Sequence, residues 1–210
     1  MTARQIETLP ADVPWPDPWW TETLIHRVGR KARLEDASEW IDQGQWAQAA
    51  QGLAGVTRDY PDDEEAWYQL GWALNQARQF AEAERVLRQH LRLAPRSPKG
   101  HAQLAVALLA QTRYSEALEI LQTALALKPT WRELHSNLGY ACVQLGRTEE
   151  AIGHFRNALL HDPNYVPSYT ALADLLNRRG EREEARRLLR QALELNPTDV
   201  RAKSLLQQTD

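Results

Sequence analysis

The sequence predicts an all-α solenoid of antiparallel helix pairs, and three observations carry that prediction. Pro61, Pro95, Pro129, Pro163 and Pro197 stand 34 residues apart. Small residues recur in the same register, as Ala49, Ala83, Ala117, Ala151 and Ala185, and again as Ala37, Gly71, Ala105, Gly139 and Ala173. Apolar residues do so too: Leu70, Leu104, Leu138 and Leu172, with Leu53, Leu87, Leu121, Phe155 and Leu189. Several columns sharing one period mark a stack of equivalent supersecondary units.

Each period resolves into two helices. In the unit 64–97, Trp67, Leu70, Gly71 and Leu74 fall at i, i+3, i+4 and i+7, one face of a helix. The pattern breaks at Ala77-Arg78-Gln79, and Phe80, Ala83, Leu87 and Leu91 form a second stripe. Pro95 ends it, because proline has no N–H and restricts the residue before it. Equivalent turns hold Gly44, Gly146 and Gly180, suited to a left-handed C-cap. The Ala and Gly columns have a steric reason: antiparallel helices approach closely only where side chains are small.

The units fall at about 30–63, 64–97, 98–131, 132–165 and 166–199. Before them, residues 1–18 are rich in proline and tryptophan. Asp17-Pro18 reads as a helix start, with a long first helix running from Trp19 towards Gln43 and carrying Trp20, Leu24 and Val28 on one stripe. The Pro/Trp segment fits three placements: a cap on the first unit, a linker to an upstream domain, or an internal ligand in the groove. After the repeats, 200–210 reads as a capping helix, with Asp199 as N-cap and Ala202, Leu205 and Leu206 covering the last unit.

Composition narrows the function classes. The 210 residues are 43% apolar and 25% charged, which suits a packed core. A net charge of −3 gives no general reason to expect nucleic acid or a membrane surface. One cysteine, Cys142, excludes a disulfide framework and a multi-cysteine zinc site, and fits a core column. No stretch approaches the ~18 apolar residues of a membrane span. The N-terminus lacks the apolar run of a signal peptide, so a cytoplasmic location is expected.

The motif Trp67-x-x-Leu70-Gly71-x-x-Leu74, Phe80-x-x-Ala83, Leu87 and Pro95 resembles the tetratricopeptide repeat (TPR). So do Leu138-Gly139, Gly146, Ala151, Phe155, Ala158 and Pro163. The resemblance covers five repeats, about residues 30–199, and implies a right-handed superhelix. Three departures stand out. Arg33 and Asp36 replace large apolar residues in the first repeat. His90 stands where other repeats have Ala124, Ala158 and Ala192. Arg182 stands where an aromatic is usual.

In this family the first helix of each repeat lines a concave groove, at fixed repeat positions. The resemblance therefore implies a wall of Glu65, Tyr68, Gln69, Trp72, Asn75 and Gln76 in the second repeat. The third contributes Lys99, Ala102, Gln103, Val106, Leu109 and Ala110. The fourth contributes Glu133, Ser136, Asn137, Tyr140, Val143 and Gln144, and the fifth Thr170, Asp174, Asn177 and Arg178. Amides can pair with an extended backbone as donor and acceptor, and aromatics anchor interfaces. Packing of Trp72 on a neighbouring repeat is the competing reading. The cationic cradle with which cochaperone members clamp a terminal carboxylate is not at its positions here, and of the asparagine ladder of the sugar-transferring members only Asn137 is.

Other chemistry is sparse. His101 and His135 share a core position in neighbouring repeats, and two imidazoles make a poor metal site. His154 and His161 are seven residues apart on one helix. No phosphate loop, nucleophile elbow or His-Glu-x-x-His occurs. The basic run 26–33 precedes Glu35, Asp36 and Glu39 and reads as a self-neutralised face, as does Arg178–Arg190 with Glu181, Glu183 and Glu184. The expected function is a non-catalytic scaffold or adaptor binding a peptide or extended protein segment, without metal or cofactor, as a monomer or weak homodimer. The alternative is a regulatory or substrate-docking part of a larger enzyme or complex.

Overall fold

The structure, a computed structural model, describes residues 18–209, with side chains from residue 29. The Pro/Trp segment, and the side chains of Trp20, Leu24 and Val28, lie outside the described residues. Eleven helices and no strand occur among the described residues. They form two compact units that divide between Pro95 and Arg96. The first holds α1 (Pro18–Asp42), α2 (Trp46–Asp59), α3 (Glu64–Gln76) and α4 (Phe80–Leu93). The second holds α5 (Pro98–Ala110), α6 (Tyr114–Leu127), α7 (Arg132–Gln144), α8 (Thr148–His161), α9 (Val166–Arg178), α10 (Arg182–Leu195) and α11 (Val200–Thr209). Within each unit every helix packs on the next in sequence.

The helices begin and end where local chemistry dictates. Asp63, Ser97 and Asp199 cap α3, α5 and α11: their side chains accept from the N–H groups of Ala66, Gly100 and Ala202 at 3.1, 3.1 and 2.9 Å. The five recurrent prolines each lie two residues beyond the end of α2, α4, α6, α8 or α10. The residue before each has φ between −125° and −145° and positive ψ, the conformation a following proline enforces.

Three-residue turns join the helices of each pair, and their middle residue is left-handed every time. Gly44, Gly146 and Gly180 have φ of 70°, 74° and 90°, as their positions predict. Arg78 and Thr112 hold the same conformation without glycine, at 61° and 60°. Hydrogen bonds explain why the turn persists. The N–H of Gln45, Gln79, Arg113, Arg147 and Glu181 reaches back to Trp40, Leu74, Leu108, Cys142 and Leu176, at 2.7 to 3.0 Å. This is the Schellman closure, and it fixes how one helix turns into the next.

The small-residue columns lie where paired helices meet. A methyl on Gly71 would sit 2.4 Å from Leu87, and one on Gly139 2.7 Å from the Phe155 ring. Ala37, Ala105 and Ala173 fill the same column and are fully buried. Leu53, Leu87, Leu121, Phe155 and Leu189 oppose them from the partner helix, all buried. Each pair thus sets a large side chain against a missing one. Cys142 is buried, and burial pushes its thiol up, so it acts as a small apolar residue.

The fourth repeat position ties the start of each odd-numbered helix from α3 to α9 to the chain before it. Trp67 Nε1–H donates to the Pro61 carbonyl at 2.8 Å. The Tyr169 hydroxyl donates to Pro163 at 2.9 Å, and His135 Nε2–H to Pro129 at 3.0 Å. His101 Nδ1 lies 2.8 Å from the Ser97 carbonyl. A carbonyl only accepts, so each imidazole carries its proton on that nitrogen. These side chains are apolar bodies with a donor tip, a requirement that hydrophobic periodicity does not reveal.

Arg33, the departure in the first repeat, pairs with Asp59 of α2. Arg30 pairs with Asp63 at 2.6 Å. Burial works against ionisation of Asp63, but Arg30 and the Ala66 N–H outweigh it and hold the carboxyl below its usual range. Arg30 and Arg33 of the basic run are therefore neutralised across helices. Among the described side chains of the run, Lys31–Glu35, at 3.5 Å, follows the expected pairing within one helix.

Three substitutions test this packing and these turns. Gly139→Ala should lower stability by about 1–2 kcal/mol, overpacking against Phe155 outweighing the gain in helix propensity. Gly153→Ala, with open space at its Cβ, should raise it by about 1 kcal/mol. Thr112→Gly should raise it by about 0.5–1 kcal/mol by removing a β-branched residue from a left-handed turn. Urea unfolding midpoints measure all three; a destabilised Thr112→Gly would mean that the threonine side chain makes a compensating contact.

Candidate functional site

The predicted wall residues meet most completely in the second unit. Asn137, Tyr140 and Gln144 lie at i, i+3 and i+7 on one face of α7, while Asp174 and Arg178 lie one turn apart on α9. Together they line a cavity of about 420 Å³. Phe155 and Leu175 form apolar lining, Tyr165 stands near the start of α9, and Arg201 enters from α11. Tyr140 is 46% exposed and meets Tyr114 of α6 edge to face, with centroids 6.4 Å apart. Burial pushes the Tyr165 phenol up, with a Ser136 hydrogen bond acting the other way, and the Arg132 guanidinium lies 5.3 Å from its ring centre.

The cavity carries three charges. Arg178 donates twice to Asp174, at 3.1 and 3.0 Å, and Arg201 approaches the same carboxylate at 3.7 Å. The Asp174 side chain is 18% exposed, whereas both arginine side chains are about two-thirds exposed or more, at 70% and 66%. Within the Arg-rich run, Arg179 pairs with Glu181 and Arg186 with Glu183, while Glu184 pairs with Arg156 of α8.

Other predicted residues lie elsewhere. Lys99 is exposed on α5, and Gln103 and Val106 are half-buried there; none of them lines this cavity. Asn177 is half-buried outside the lining. In the first unit, Gln69 donates to Glu65 at 3.2 Å. Tyr68 packs 5.6 Å from the His90 ring, and burial pushes its phenol up. His90, buried where the three following repeats have alanine, has Nδ1 2.8 Å from the Glu64 carbonyl. Trp72 is half-buried and meets Trp46 of α2 edge to face at 5.3 Å, so packing on the neighbouring repeat accounts for its ring. Asn75 is a correction: it is 5% exposed, and a buried amide does not face a groove.

Periodicity missed Arg201 and Tyr165. Arg201 belongs to the helix read only as a cap, and no spacing relates it to Asp174. Tyr165 lies just outside α9. Sequence reading also missed a meeting of histidines. His135 of α7 has Nδ1 3.5 Å from His154 Nδ1, and its ring stacks on His161 at 5.3 Å. Among the described residues no group of three or more His, Cys, Asp or Glu is arranged to hold a metal.

Paired antiparallel helices in a constant 34-residue register define a helical-hairpin repeat protein. The chain belongs to the tetratricopeptide-repeat family, whose model matches residues 41–107, 74–139, 108–153 and 142–209. No curated protein matches it. Solved structures share the fold. MamA from residue 41 to its end, of Desulfovibrio magneticus RS-1, has a TM-score of 0.72 at 22% identity, over 81% of this chain and 97% of that one. PilF of Pseudomonas aeruginosa has 0.77 at 22%, over 88% and 84%. YrrB, a TPR protein with an unusual peptide-binding site, has 0.67 at 18%, over 87% and 95%.

The histidines generate a pH prediction. Burial is the main cause holding His135 and His154 below the usual imidazole range; the charges of His161 on His135 and of His135 on His154 add to it. The Pro129 carbonyl opposes this at His135, and at His154 Glu150 opposes it while Arg147 adds to it. Unfolded histidine takes up its proton near pH 6.5, the folded pair only lower. Below about pH 6.5 the unfolded chain binds more protons, so stability falls as pH falls, by at most about 1.4 kcal/mol per pH unit for each proton. His154→Gln should flatten that loss in urea titrations between pH 7.5 and 5.5; an unchanged slope would show that the cluster does not titrate differently on folding.

Proposed function

We propose that this protein is a non-catalytic scaffold that holds an extended peptide or protein segment against the polar faces of α7 and α9. The observation that carries the reading is the convergence of Asn137, Tyr140, Gln144, Asp174 and Arg178 on one open cavity. An exposed aromatic, two amides able to donate and accept, and an arginine suit a segment with both backbone and side chains to recognise. Membership of the repeat family and the likeness to YrrB, whose peptide-binding site is on record, support the same reading. Among the described residues no helix is long and apolar enough to cross a membrane.

The test is capture of partners from native lysate by the wild type and by a variant carrying Asn137→Ala, Tyr140→Ala and Gln144→Ala. These side chains are half-buried or exposed, so the variant should melt within a few degrees of wild type. Partners lost with the variant would establish this face as the binding surface. The same partners held by both proteins would sink the reading.

A further inference from the structure

We propose that the cavity between α7 and α9 receives an acidic side chain, Asp or Glu, from within an extended peptide, with Arg178 and Arg201 as its carboxylate receptors. This rests on the scaffold reading and names the ligand chemistry it selects. The cavity's charged lining consists of Asp174, Arg178 and Arg201, two cations against one anion. That local excess of positive charge stands against a chain whose net charge is −3. An anionic group is therefore drawn to this place in particular.

The arrangement is uneven in a useful way. Asp174 is mostly covered and spends two hydrogen bonds on Arg178. Those bonds pin the Arg178 guanidinium at the rim while leaving 70% of its side chain exposed. Arg201 stands 3.7 Å from the same carboxylate, outside hydrogen-bond distance, with 66% of its side chain exposed. A second carboxylate arriving between the guanidiniums gains charge-assisted hydrogen bonds, bidentate where it meets a guanidinium fork, and leaves the three-charge group neutral.

The α7 side of the same cavity offers main-chain recognition to the segment that carries this carboxylate. Asn137 and Gln144 are seven residues apart on α7, about 10 Å along the axis, the span of about three residues of extended peptide. Both amides pair with main-chain groups of either polarity. A ligand that pairs with both amides through its main chain is an extended segment, and the acid is then carried on one of its side chains. Val143 and Ala171, half-buried in the lining, offer apolar surface to a neighbouring side chain of the same segment.

The test selects phage-displayed random dodecapeptides on the full chain, then measures synthetic peptides by fluorescence polarisation. Selected peptides should share an internal Asp or Glu. Replacing it by its amide, or making Arg201→Ala or Arg178→Ala, should each weaken binding about tenfold or more. Combining the peptide change with Arg201→Ala should cost little beyond either alone, as for partners in one interaction. Circular dichroism should show Arg201→Ala melting with wild type, since that side chain is largely exposed. Affinity indifferent to the acid or to Arg201 would overturn the assignment while leaving the scaffold reading in place. Loss of binding on amidating only the peptide C-terminus would also overturn it, in favour of a terminal carboxylate. If the folded chain selects no peptide, both readings fail.

Discussion

At Gly139 the backbone of α7 comes so near the Phe155 ring that one methyl group would lie 2.7 Å from it. Gly71 meets Leu87 in the same way, and buried alanines fill the equivalent places in the remaining pairs. This close approach sets the distance between paired helices, and the rest of the structure depends on it. It lets ~13-residue helices, individually too short to be stable in water, bury their apolar stripes against each other. The left-handed turn makes the approach possible by reversing the chain within three residues. Arg78 and Thr112 hold that turn without glycine, so closure of the helix end by hydrogen bonds outweighs local backbone preference there.

The helix pairs must also be stacked, and the fourth repeat position contributes. Trp67, His101, His135 and Tyr169 are chemically different, yet each turns a polar tip to a carbonyl in the segment where its helix begins. The shared requirement is an apolar body with one donor. Arg30 and Arg33 serve the first unit through Asp63 and Asp59. Buried polar groups are thereby satisfied where successive pairs join, and each such bond is worth about 1 kcal/mol net.

In the second unit α7 and α9 keep wall positions that are not fully packed, and the site uses them. On α7 and α9 these positions carry amides, a tyrosine and an ion pair. Asp174 and Arg178 are one turn apart and would be an ordinary surface pair on an isolated helix. Arg201 changes their character, because a second cation leaves the group short of one negative charge. In the first unit the aromatic positions are spent differently: Trp72 and Tyr68 pack on Trp46 and His90. The same repeat position therefore serves packing in one place and exposure in another.

The helices, the turns and the family could be read from the sequence. They follow from spacings of three, four and 34 residues, and such spacings act within one helix or between consecutive helices. The close-contact column and the cap at Asp199 were legible for the same reason. The site was legible only in part. Asn137, Tyr140, Gln144, Asp174 and Arg178 follow from repeat positions, but their common cavity does not. Burial of Asn75, the meeting of His135 with His154 and His161, and the arrival of Arg201 at Asp174 were decided by tertiary structure alone. Each depends on the distance between side chains on different helices, which hydrophobic periodicity within the chain does not encode.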